Sequence, residues 1–258
     1  MGNLFEFKTV QSHSLKTLFE VLKDILTDVN IIFDENGIKI MAMDGNHVAL
    51  IHLKLEADNF ESYYCKRKTM IGVSMISFFK LMKTISNSDI ITMFMEEENT
   101  DVLNINIQNS EKNTKTNFSL KLLDLDEEEL DIPDVDIDCI VTMSSNEFQK
   151  LCRDMTNIKD TVTITSENNT ISFSCEGDFA KWETIIGETS HGLSFNKESS
   201  ECISADYSLK YINLFTKSTN LCSTIELYLK KDYPLIMKYN VGNLGEIRFC
   251  LAAKRTDC

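Results

Sequence analysis

Lys121 to Ile140 reads KLLDLDEEELDIPDVDIDCI, and the fold turns on this stretch because the chain before it and the chain after it follow one plan. Between Leu123 and Cys139 it carries Asp124, Asp126, Glu127, Glu128, Glu129, Asp131, Asp134, Asp136 and Asp138 with no Lys or Arg, and Pro133 removes a backbone donor in its middle. Such a run predicts an extended, solvated connector. Leu125, Leu130, Ile132, Val135 and Ile137 interrupt the acids, and a connector with apolar teeth is a place where a partner docks.

On the N-terminal side, Leu4, Phe5, Phe7 and Val10 form a strand pattern, and Leu15, Leu18, Phe19, Leu22, Ile25 and Leu26 recur at helical spacing. Next come two apolar runs around Asp34-Glu35-Asn36-Gly37, where Asn-Gly predicts a hairpin because both residues accept positive φ. A strand follows over 48–55. Ser74 is placed to cap a helix bearing Met75, Phe78, Phe79 and Met82, and alternating strands follow at 90–95, 102–107 and 117–123.

Beyond the connector the order repeats. Ile140 to Met143 reads as a strand, Ser144-Ser145-Asn146-Glu147 is a capping box, and Phe148, Leu151, Cys152 and Met155 share a helical face. A hairpin around Glu167-Asn168-Asn169 falls about 132 positions after the first, and the helices at 74–83 and 208–217 match at an offset near 134. One offset shared by separate elements marks an internal duplication. The predicted fold is therefore α+β, each half made of two strand–helix–strands units, divided as 1–121, a connector 122–138, and 139–258.

Composition narrows the class. A chain of 258 residues with 43% apolar types and two prolines supports two cores, and it holds no apolar run near 18 residues and no leader pattern, so neither a membrane span nor a secretory signal is expected. Eight cysteines without a CxxC pair fit reduced intracellular thiols, which leaves the sequons at Asn117 and Asn168 without meaning. A net charge of −14 ordinarily argues against a nucleic-acid partner. The placement of the cations argues the other way. Lys16 and Lys23, Lys80 and Lys83, Lys150 and Arg153, and Lys210 and Lys217 fall at i, i+3 or i, i+7 on the four predicted helices, giving each a positive side. Four helices on one side of a continuous sheet would present an anion-facing surface that meets phosphates without reading bases.

MAMDGNHVAL (41–50), DIIT (89–92), KLLDLDEEELDIP (121–133), EFQKLCRD (147–154), YINLFTKST (211–219), YPLIMKY (233–239) and LAAK (251–254) give the chain a close resemblance, nearly end to end, to the proliferating cell nuclear antigen family of sliding DNA clamps. The resemblance implies a homotrimeric ring, with twelve helices lining the hole and a belt of antiparallel sheet outside, closed head to tail so that no edge strand is left free. It places the eight helix cations toward duplex DNA. It also implies subunit joints between a strand near 116–121, with Phe118 inward, and a strand near Phe179, Trp182 and Ile186.

The family's client pocket lies beneath the connector and receives a short helical turn bearing an aliphatic residue and two aromatics. The matching positions are Met43, His47, Val48, Leu50, Leu130, Ile132, Pro234 and Ala252. Cys250 stands where the family often has Tyr, and Ala253 where it often has Pro; both widen the pocket. Taken alone, Met43, Val48, Leu50 and Ile132 read as core and His47 as a loop hydrogen-bonder, so the resemblance alone makes them site residues. The implied partners are duplex DNA, DNA polymerase and other clients carrying the motif, and a clamp-loading ATPase. The implied compartment is the nucleus, although the Asn, Ile and Lys usage also suits a large DNA virus replicating in the cytoplasm.

Catalysis is not expected. Asp134-x-Asp136-x-Asp138 fails as an EF-hand because Cys139 and Ser145 stand where Gly and Glu are required, and the chain has no GxxxxGK[ST], GxSxG or HExxH. No metal and no cofactor are called for. The competing reading is a monomeric protein-binding adaptor of the same fold, which would have no use for basic residues on every helix.

Overall fold

The computed structural model describes residues 2–126, 130, 135–189, 192–197 and 202–254. The chain divides into two units, one of Met1–Gly45, Ile51–Leu130 and Asn240–Ile247, the other of Asn46–Leu50, Asp131–Tyr239 and Arg248–Cys258. The elements before the connector are β1 (Asn3–Thr9), α1 (Ser12–Ile25), β2 (Asp28–Asp34), β3 (Gly37–Met43), β4 (Ala49–Glu56), β5 (Ser62–Cys65), β6 (Thr69–Ser74), α2 (Met75–Met82), β7 (Ile90–Glu96), β8 (Asn99–Asn109) and β9 (Thr114–Lys121). After it come β10 (Cys139–Ser144), α3 (Ser145–Met155), β11 (Thr161–Glu167), β12 (Thr170–Glu176), β13 (Lys181–Gly187), β14 (Ser194–Lys197), β15 (Ile203–Ser208), α4 (Leu209–Phe215), β16 (Thr224–Leu229), β17 (Leu235–Val241) and β18 (Gly245–Leu251). The strands pair antiparallel, β1 with β5 and β7, β2 with β3 and β6, β8 with β9, β10 with β16 and β12 with β13 among them, as expected of an α+β clamp fold.

The duplication is visible in the strand order. In the first unit β5-β1-β7-β8-β9 is one sheet and β4-β3-β2-β6 run side by side; in the second, β14-β10-β16-β17-β18 and β13-β12-β11-β15 repeat both orders. Ser12 against Ser145 and Met75 against Leu209 begin the paired helices, an offset of about 133.

Each unit buries its own aromatic core. In the first, Phe5 of β1 stacks on Phe33 of β2 at 3.9 Å, Phe7 meets Phe60, and Phe19 of α1 meets Phe78 of α2 edge-on at 4.5 Å. Leu15, Leu18 and Leu22 fill the helical stripe read from the sequence and are buried. In the second unit Phe148 of α3 meets Phe173 of β12, and Phe215 of α4 stacks on Phe249 at 4.6 Å. Each ring pair contributes about 0.5–1.5 kcal/mol beyond the area it buries.

Local chemistry departs from expectation in three places. The first hairpin turns on Glu35-Asn36, with Asp34 paired to Gly37, so Gly37 opens β3 instead of sitting in the turn. Its φ of +137° and its approach to Leu55 O exclude a side chain. The second hairpin is the one whose two central residues are both left-handed, Asn168 at φ 45° and Asn169 at φ 60°. Ser144 caps α3 as predicted, accepting from Glu147 N, but Ser74 and Ser208 make no capping bond with their side chains. The amide of Met75, the first residue of α2, is taken instead by Thr27 O at 2.8 Å.

The start of the connector is not simply solvated. Leu123 N donates to Gly72 O of β6 at 2.8 Å, and Asn30 Nδ2 donates to Asp126 O, so 123–126 lies along β6 and β2. A Cβ on Gly72 would come within 2.3 Å of Leu123 O. At the far end, Lys230 Nζ donates to Asp136 O and pairs with Asp138.

A Cβ at position 37 would lie 1.9 Å from Leu55 O, so Gly37→Ala is expected to cost about 3 kcal/mol in urea unfolding. Gly45→Ala, with nothing within 4 Å of the added carbon, should shift stability by no more than about 0.5 kcal/mol.

Candidate functional site

The amphipathic stripe that buries one face of each helix leaves the other for charge, and the eight cations then differ in what they hold. Lys80 on α2, Lys83 at its C-terminal cap, Lys150 and Arg153 on α3 and Lys210 on α4 are exposed. Lys80, Lys83, Lys150 and Arg153 have no acidic partner among the described residues. Lys210 stands over the Tyr211 ring at 5.9 Å. Lys217, also exposed, lies on the short 3-10 turn Thr216–Asn220 that continues α4, rather than on the helix itself. Lys16 and Lys23 on α1 are half-buried and engaged. Lys16 Nζ donates to Ile85 O at 2.8 Å, while Lys23 pairs with Asp24 at 2.5 Å and stands 5.0 Å over the Phe79 ring.

A recess of about 370 Å³ opens between α3 and α4, lined by Gln149, Arg153, Thr156, Asn157, Asn213 and Thr216. Asn213 Nδ2 donates to Thr156 Oγ1 and Gln149 Nε2 to Thr216 O, both at 2.7 Å. Those bonds fix the wall on which Arg153 stands. The guanidinium of an arginine in such a recess can donate a charge-assisted hydrogen bond to an anionic oxygen.

The residues expected at a joint fall on two sheet edges. Phe118 lies on β9, which pairs only with β8 among the described residues. Trp182 and Ile186 lie on β13, which pairs only with β12. All three side chains are half-buried, and Trp182 Nε1 donates to Thr184 Oγ1 at 2.8 Å. Phe179, in the turn before β13, is 77% exposed. Sequence reasoning missed Ile185, 63% exposed on the opposite face of β13; an apolar residue at the polar phase of an alternating strand is the signal that would have found it.

Of the eight positions expected at a client pocket, two fall on one cavity. Met43 and Leu130 line one cavity of about 570 Å³ in the first unit, together with Met41, Met70, Ile32 and Leu125. Asp28, Lys39, His52, Lys68 and Asp126 stand around it. Met41 and Met43 alternate along β3, so their shared face was legible; Met70 was not, because β6 carries no clear strand pattern. In the second unit, exposed His47 takes a left-handed φ of 55° and half-buried Val48 accepts from the exposed Ala252 through backbone N–H at 3.1 Å. Leu50 and Pro234 are half-buried there. Ile132 lies outside the described residues, as does Asp134 of the rejected metal motif. Among the described residues no group of three His, Cys, Asp or Glu side chains is placed to hold a metal ion, and no helix is long and apolar enough to cross a membrane.

Two of the words quoted from the sequence acquire local reasons. In DIIT, buried Asp89 accepts from Ser86 N and from Asn109 Nδ2 at 2.6 Å, closing the turn after α2. In LAAK, Lys254 N donates to Asp206 O, and its ammonium pairs with Asp160 and bonds Thr161. Cys250 is buried, and burial pushes its thiol up to about 11, against the smaller opposite pull of Arg248. At pH 8 iodoacetamide should therefore modify exposed Cys202 ahead of the other described cysteines and Cys250 roughly tenfold or more slowly, read by mass spectrometry of the native protein.

Residues 4–130 match the family model for the proliferating cell nuclear antigen N-terminal domain and residues 131–254 that for its C-terminal domain. The chain is 38% identical over 254 residues to the probable DNA polymerase sliding clamp 1 of Paramecium bursaria Chlorella virus 1, covering 96% of each sequence. With both halves matched and a relative aligned along nearly its whole length, the chain belongs to the proliferating cell nuclear antigen family.

Proposed function

We propose that the protein is a DNA sliding clamp, a non-catalytic homotrimeric ring that encircles duplex DNA and tethers polymerase and other replication enzymes to it. One observation carries this reading. Inside the chain β18 runs beside β4, with Glu56 N donating to Leu244 O and Ala252 N to Val48 O. In the duplicated order the counterparts of β18 and β4 are β9 and β13, each of which ends a sheet and is paired on one side only among the described residues. Docking β9 of one copy against β13 of the next continues a pairing the chain already makes.

The burial of the side chains fits that joint. Ile51, Leu53 and Leu55 of β4 and Ile247, Phe249 and Leu251 of β18 are fully buried. Phe118 and Leu120 of β9, and Trp182 and Ile186 of β13, are only half-buried. A neighbouring copy would complete them. Such a contact is head-to-tail, so it propagates until it closes, and closure leaves neither edge free.

Within that ring, residues 1–121 and 139–258 are the two domains and 122–138 the connector, and the exposed helix cations Lys80, Lys83, Lys150, Arg153, Lys210 and Lys217 face the duplex. Contact with phosphates alone holds DNA loosely enough to slide. Clients bind beneath the connector, on Met43 and Leu130 and, by family position, His47, Val48, Leu50, Ile132, Pro234 and Ala252. The rigid buried Cys250 in place of an aromatic favours clients with a larger anchoring side chain. A separate ATPase opens the ring for loading. The viral origin of the relative supports a viral replication site as the working compartment, with the nucleus as the family's usual one.

Retention on circular duplex DNA should survive salt that abolishes ordinary phosphate binding, and linearising the circle should release the protein. A monomeric adaptor would leave both forms alike. Phe118→Ala is expected to weaken the trimer by about 2 kcal/mol, seen as dissociation on dilution in sedimentation velocity. Leu130→Ser should lower the calorimetric affinity for a client peptide roughly tenfold while the oligomer persists.

A further inference from the structure

The duplication permits a position-by-position comparison of α1 with α3, and the two helices prove chemically unlike on their outer faces. With Ser12 aligned to Ser145, Lys16 corresponds to Gln149, Glu20 to Arg153, Lys23 to Thr156 and Thr17 to Lys150. Lys16 and Gln149 do the same work: each donates to a backbone carbonyl of the segment after the second helix of its unit, Ile85 O at 2.8 Å and Thr216 O at 2.7 Å. Ser12 and Ser145 likewise bond the loops that follow, at Ser86 O and Asn87 O and at Cys222 O. A neutral amide fills the role of Lys16 in the second unit, so the role needs a donor and not a charge.

The rest of α1 offers little to an anion. Lys23 is held by Asp24 and by the Phe79 ring, while Glu20 is exposed where α3 exposes Arg153. On α3, Lys150 and Arg153 are both exposed without an acidic partner among the described residues, and Arg153 stands at the recess facing α4. We infer that α1 and α3, equivalent by the duplication, contact DNA unequally: α3 binds phosphate through Lys150 and Arg153, whereas Lys16 and Lys23 of α1 are structural. The inference rests on the clamp reading above and assigns the grip within it.

Coulomb attraction to a phosphate falls off within the screening length of about 8 Å at physiological ionic strength, so an exposed Glu20 opposes whatever Lys23 has left to offer, whereas Glu147 and Asp154 of α3 form no ion pair with Lys150 or Arg153. The sign of each helix face is therefore set by its own side chains.

The test uses the full chain as a trimer and a short fluorescent linear duplex, with anisotropy titrations across a salt series. Lys150→Gln with Arg153→Gln should weaken binding about fivefold or more and flatten the dependence of log K on log salt. Lys16→Gln with Lys23→Gln should change it less than about twofold, because the glutamine keeps the bond to Ile85 O. Glu20→Arg, which gives α1 the residue of α3, should strengthen binding and steepen the salt slope. Equal losses from the two double substitutions, or no gain from Glu20→Arg, would overturn the assignment. Thermal melts of each variant separate lost contact from lost fold; a Lys16→Gln protein that melts early leaves Lys23→Gln alone and Glu20→Arg to decide. Parent protein that leaves circular and linear DNA equally fast would instead overturn the clamp reading.

Discussion

An unpaired strand edge is a row of backbone donors and acceptors with nothing but water to bond, and the organisation of this chain follows from where its edges fall. Duplication produces two copies of the same strand order, and one junction, β18 beside β4, is made within the chain. Its repeat would join β9 and β13, each of which is paired on one side only among the described residues. The half-buried Phe118, Trp182 and Ile186 sit along those open edges. In the proposed ring, self-association is thus the completion of an internal pattern, and no new kind of interface has to be invented for it.

The second constraint is charge. A molecule of net charge −14 meets a polyanion only where its own field is locally reversed. The acids concentrate in the connector, and Lys230, Asp136 and Asp138 fix its exit, while its entry is held by backbone bonds to β6. Six exposed cations, Lys80, Lys83, Lys150, Arg153, Lys210 and Lys217, lie on the helices or the turns that end them, while others such as Lys66, Arg67, Lys68, Lys115 and Lys181 lie on strands and loops. On the helices amphipathicity does two jobs at once: the apolar stripe positions the helix, and the leftover face is free to carry charge.

The connector shows how an acidic segment can still contribute apolar side chains to a cavity. Its acids keep it from collapsing into the core, yet Leu125 and Leu130 still reach a thioether-rich cavity with Met41, Met43 and Met70. Methionine side chains adapt their shape to what enters. A cavity lined by them and by Leu125 and Leu130, with Asp28, Asp126, Lys39 and Lys68 around it, offers an adaptable apolar lining to an apolar side chain.

By itself the sequence determined the periodic features: the helical stripe of Leu15, Leu18 and Leu22, the alternation of Met41 and Met43, the cap at Ser144, the shared offset that betrays duplication, and through its wording the family. These are local, since a repeat of two or of 3.6 residues is set by backbone geometry and needs no distant partner. Tertiary structure decided the rest. Only packing tells that Gly37 is squeezed against Leu55 O rather than placed in its turn, that Ser74 leaves its helix amide to Thr27, and that Ile185 is left exposed. It alone separates Lys16, spent on Ile85 O, from Arg153, exposed at its recess. A lysine's letter and spacing are the same whether its ammonium holds a carbonyl or faces water, and that choice is made by residues dozens of positions away.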